Sequence, residues 1–115
     1  MASKKEMARP AFTSTDAWIL AALALCHREE GAPLDAIISA ADYLNHAIPT
    51  QEELKTALAK LKLAGLAKAR GEHFLLDGGA LGFRAKLERV AAFRWIEKSE
   101  QFLAKPAKRP RRAAK

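Results

Sequence analysis

Between Pro49 and Leu66 apolar and polar positions follow one another at helical spacing. Leu54, Leu58 and Leu61 recur at i, i+4 and i+7, a stripe that turns one flank of a helix toward a core. Thr50 and Glu53 form the reciprocal Ser/Thr-x-x-Glu pair that caps a helix start, worth about 1 kcal/mol. Gly65 predicts the stop, with Leu66 packing back on the last turn. The opposite flank carries Gln51, Lys55, Ala59 and Lys62, polar or small throughout.

Upstream, Trp18, Ala22 and Leu25 share one side of a helix and Ile19, Leu23 and Cys26 the next, so the apolar surface is wide enough for a central helix covered on most sides. It starts among Thr13, Ser14, Thr15 and Asp16 and runs in composition to Gly31. Gly31-Ala32-Pro33 breaks it, Leu34 adds a short extended piece, and a second helix follows from Asp35 to about His46. Its face is Ile37, Ile38, Ala41 and Leu44, with Tyr43 at the edge. The link Ala47-Ile48-Pro49 is so short that the second and third helices must cross steeply, as a helix-turn-helix, with the first behind both.

After Gly65 the period changes. Leu66 to Arg70 and His73 to Asp77 flank Gly71-Glu72 and predict a β-hairpin. Ala67 and Ala69 are poor strand formers, so this hairpin depends on packing. Past Asp77-Gly78-Gly79 a last helix is expected from about Ala80 to Ala104, with Phe83, Leu87, Val90 and Phe93 or Arg94 on one stripe. A helix of that length spans about 40 Å, longer than a small domain needs. Its end must fold back or find another chain, and Trp95, Ile96, Phe102 and Leu103 are the expected interface of a homodimer or other partner.

The chain of 115 residues suits one domain. Four segments are expected: a loose arm over 1–12, the folded unit over 13–79, the long helix over 80–104, and a disordered basic tail over 105–115. The net charge of +7 resides in the ends, because residues 104–115 hold six bases and no acid and residues 1–9 three bases and one acid. Inside the body, Pro10 to Glu53 carries seven acids against one base, and Leu54 to Leu103 ten bases against five acids. This dipolar layout points one side at something anionic, nucleic acid being the commonest such partner; a merely solvated charge face gives similar counts.

The chemistry of small sites is sparse. A single cysteine, Cys26, excludes an internal disulfide, and its apolar helix predicts a buried inert thiol. The apolar run Ala17 to Cys26 is too short to span a bilayer and lacks a small-residue cleavage site, so a core helix in a cytoplasmic protein is expected, with no membrane association. His27, His46 and His73 have no partners at metal-ligand intervals, which predicts no metal site. No phosphate-cradling glycine loop and no activated nucleophile occur, so neither a cofactor nor catalysis is expected.

Three helices, a hairpin, and the Leu61-x-x-x-Gly65-Leu66 ending of the third helix resemble the winged-helix (winged helix-turn-helix) group of bacterial DNA-binding regulators, over about Asp16 to Asp77. The resemblance implies a mainly α fold with a small β-hairpin: a three-helix core, a wing and a long C-terminal helix that often pairs subunits. It also implies that the third helix lies in the major groove of double-stranded DNA through Gln51, Lys55, Thr56, Ala59 and Lys62, with Lys68, Arg70 and His73 on the wing. Gln51 suits adenine and Lys55 guanine, whereas Lys62, Lys68 and Arg70 suit phosphates. Glu52 and Glu53 would face phosphates too, so the reading requires Glu53 to be held in the cap and Glu52 to point aside. The tail, with Lys105, Lys108, Arg109, Arg111 and Arg112, is similar to the Lys, Ala and Pro-rich tails of linker histones. That similarity implies nonspecific DNA affinity and a place on the nucleoid. A different expectation remains open, a winged-helix module for protein interaction whose third helix never meets DNA.

Overall fold

A computed structural model of the chain describes residues 11–104. The basic-tail residues Lys105, Lys108, Arg109, Arg111 and Arg112, and all of the expected arm except Ala11 and Phe12, lie outside the described residues. The fold is mainly helical with one small three-stranded antiparallel sheet. Its order is α1 (Ser14–Cys26), β1 (Ala32–Pro33), α2 (Leu34–Asn45), α3 (Gln51–Leu63), β2 (Ala67–Arg70), β3 (His73–Leu76), α4 (Gly79–Leu87), a 3-10 turn (Ala92–Arg94) and α5 (Trp95–Ala104).

Helix α1 is the hub. Of the possible starts the chain uses Thr13, whose Oγ1 accepts from the Asp16 N–H while Asp16 Oδ2 accepts from the Thr13 N–H at 2.8 Å. Its residues from Ala17 to Ala24 are all buried, because α2, α3, α5 and β3 pack around it. The Trp18 indole N–H donates to the Ala41 carbonyl at 2.9 Å and ties α1 to α2. Phe12, expected in the loose arm, packs instead against the core. The helix ends at Cys26 rather than near Gly31, since His27 turns extended and carries its imidazole to the sheet.

The hairpin forms where the glycine turn places it, with Ala67 opposite Leu76 and Arg70 opposite His73. The buried positions are Ala67, Leu75 and Leu76, next to the body; the tip is exposed. Strand β1 adds the third strand on the far side of β3, Ala32 opposite Phe74. This pairing needs Gly31, because a Cβ there would stand 2.7 Å from the His73 Cβ, at a φ of +97° that other residues avoid.

The single long C-terminal helix does not form. The chain leaves α4 after Leu87, Ala91 is extended, and α5 reverses onto α1. The Trp95 indole N–H donates to the Val90 carbonyl at 2.8 Å and holds the bend. Trp95 and Leu103 are consequently buried in the core of this chain, and Ile96 and Phe102 pack against it. Of the four residues expected at a dimer or partner interface, Trp95 and Leu103 lie in the chain's own core, while Ile96 and Phe102 are half-buried at its edge. Burial of that apolar stripe on α1 stabilises the reversal, at about 1.5–3 kcal/mol for each large side chain removed from water.

Candidate nucleic-acid interface

Helix α3 is set in place by local chemistry at both ends. Thr50 Oγ1 accepts from the Glu53 N–H at 3.0 Å and Glu53 Oε1 accepts from the Thr50 N–H at 2.9 Å. At the other end the Leu66 N–H reaches the Leu61 carbonyl at 2.9 Å and the Gly65 N–H the Lys62 carbonyl at 3.0 Å, a Schellman closure with Gly65 at φ +78°. Leu54, Ala57, Leu58 and Leu61 are buried against the body. This registers the opposite flank outward: Gln51, Glu52, Lys55, Thr56, Ala59, Lys62 and Leu63 are all exposed.

Of the two acids at the helix start, Glu53 is occupied by the cap and half-buried. Glu52 is exposed and lines a shallow depression with Gln51, Lys55 and Thr56, so one carboxylate does remain on this face. Beyond Gly65 the chain passes directly into β2. The hairpin residues Lys68, Arg70 and His73 are exposed, with Arg70 and His73 cross-strand neighbours at the tip. Arg70 is not wholly free, because Nη1 donates to the Glu29 carbonyl at 3.3 Å and braces the hairpin against the turn after α1.

Two residues matter here that sequence reasoning did not single out. Lys60, one turn from the exposed face, bends inward to an ion pair with buried Asp16 at 2.6 Å, its Nζ also 5.8 Å from the Phe12 ring centre. It clamps α3 to the start of α1. His27 Nδ1 accepts from the Leu76 N–H at 3.3 Å, joining the end of α1 to β3. Burial, and then the nearby Arg84 guanidinium, hold this imidazole below its usual pKa, with Glu29 opposing. Arg84 is fixed by its own bond from Nε to the Ala24 carbonyl at 2.9 Å and by an ion pair to Glu88. An apolar pattern could not have flagged either pair, since the partners are far apart in sequence.

Burial pushes the Cys26 thiol up to about 11, so it stays protonated and unreactive near neutrality. Among the described residues, no three His, Cys, Asp or Glu side chains gather as metal ligands. No helix among them is long and apolar enough to cross a membrane. The chain matches no family model, no curated protein and no solved structure.

Proposed function

We propose that this protein is a small winged-helix DNA-binding protein, a transcriptional regulator or nucleoid-associated protein of the cytoplasm. In this reading α3 enters the major groove, the β2–β3 hairpin is the wing, and the basic tail adds nonspecific affinity. The observation that carries the reading is the shared exposure of Gln51, Lys55, Thr56 and Lys62 on α3 and of Lys68, Arg70 and His73 on the adjoining hairpin. Lys62 and Lys68 bracket the Gly65 turn, so cations continue from helix to wing without an intervening acid.

The test is an anisotropy titration of the full chain with duplex DNA over a range of salt. Each phosphate neutralised contributes about 0.9 to the slope of log affinity against log salt, so Lys55→Ala with Lys62→Ala should lower the slope by about 2. Replacing the tail cations Lys105, Lys108, Arg109, Arg111, Arg112 and Lys115 by Gln should lower it by about 5. An unchanged slope in the α3 variant would remove that helix from the interface.

The exposed rings of Phe93 (84 % accessible) and Tyr43 (65 %) favour a second reading, a protein-interaction module. They line one depression together with Leu44 and His46, at the end of α2, that shares no lining residue with α3. Absence of binding to any duplex at low salt would leave this reading standing and the first one not.

A further inference from the structure

The bend between α4 and α5 creates a cleft of about 290 Å³ that plays no part in the proposed DNA face. Its floor is apolar: Phe83 and Phe102 stack with ring centres 4.3 Å apart and planes 9° from parallel, and Leu87 and Val90 complete it. Lys86 and Lys98, one from each helix, stand in its lining. Of the acids near them in sequence, Glu88 is paired with Arg84 at 3.1 Å and Glu97 with Arg94 at 3.2 Å, Glu97 also feeling the Lys98 charge, while Glu100 is exposed and in no ion pair among the described residues. Neither lysine has a carboxylate within 4.0 Å among the described residues.

We infer that this cleft binds a small organic carboxylate, its compact apolar body on the Phe83–Phe102 floor and its anionic end between Lys86 and Lys98. Charge decides the class of occupant. Both ends of the chain beyond the described residues are basic, with three bases and one acid in 1–10 and six bases and no acid in 105–115, so the lysines repel them. A bare phosphate would leave the apolar floor unused, and a neutral apolar molecule would leave the lysines unused. The volume lies at the lower edge of the roughly 300–1,000 Å³ usual for small-molecule clefts, which fits one ring and a short acid chain rather than a nucleotide cofactor. The long stems of the lysines can lie along the apolar rim while their ammonium groups meet the carboxylate.

Phenylbutyrate and its neutral analogue phenylbutanol, titrated into the full chain, test the inference. Trp95 is a built-in reporter because its indole is bonded to the carbonyl of Val90 in the cleft wall. The expected result is saturable phenylbutyrate binding with a Kd of about 1 mM or tighter. Phenylbutanol should bind at least about fivefold more weakly, and the Lys86→Gln/Lys98→Gln variant should lose the same factor for phenylbutyrate with its circular dichroism unchanged. Amide NMR shifts should centre on Phe83, Val90 and Phe102. Equal binding of acid and alcohol, an unaffected lysine variant, shifts centred elsewhere, or no saturation would each overturn the inference. The cleft shares no residue with α3 or the hairpin, so its test and that of DNA binding succeed or fail separately.

Discussion

Replacing Lys60 by methionine removes one charge from the Asp16–Lys60 pair and keeps most of the side chain's length. The attraction between two unit charges at 2.6 Å is about 6 kcal/mol at an effective dielectric of 20. Desolvation of the carboxylate and ordering of the lysine cancel much of this. The Lys60 side chain is 22 % accessible, so water screens the pair further. Because the Asp16 side chain is only 3 % accessible, the substitution leaves a carboxylate whose remaining support is the Thr13 N–H. The expected loss is about 2–3 kcal/mol, or roughly 10 °C in Tm for a domain of this size. Urea unfolding followed by circular dichroism measures it, with a lowered midpoint and an unchanged m. In an Asp16→Asn background the same Lys60→Met change should cost less than about 1 kcal/mol, because no buried charge is then stranded. Lys60→Arg should hold the pair. A loss below about 0.5 kcal/mol for Lys60→Met in the wild-type background would refute the clamp.

The same argument extends to two other sites. His27 is held neutral in the native state, so the unfolded chain takes up its proton first; stability present above pH 6.5 should fall as the pH drops below it. The slope is at most about 1.4 kcal/mol per pH unit for this one group. His27→Asn, which keeps an acceptor for the Leu76 N–H, should flatten the difference, and parallel stability profiles of the two proteins between neutral pH and about pH 5 would count against the assignment. Ser99 is fully buried and its hydroxyl has no hydrogen-bond partner among the described residues. Ser99→Ala should therefore leave stability unchanged or raise it by about 1 kcal/mol, whereas a clear loss in urea unfolding would mean that the hydroxyl has a partner.

Helix α3 was legible from sequence at both ends and on both flanks, because every signal that defines it is local. The Thr50–Glu53 cap, the leucine stripe and the Gly65 closure each involve residues within about two turns of one another, so their geometry follows from helix periodicity alone. The glycine turn of the hairpin was legible for the same reason. The exposure of Lys55, Lys62 and Lys68 then followed from burying the other side.

Tertiary structure alone decided the rest. No glycine or proline interrupts Leu87 to Trp95, so local propensity favours one continuous helix; the bend instead lets Trp95 and Leu103 leave water for the core beside α1. That nonlocal gain placed Trp95 and Leu103 in the core and opened the lysine-flanked cleft in the angle it made. Lys60 likewise reads as one more surface cation until folding brings Asp16 to it, and His27 as a helix-end residue until β3 presents an N–H. Periodicity assigns faces to a helix, but contact between residues dozens of positions apart depends on how the helices pack.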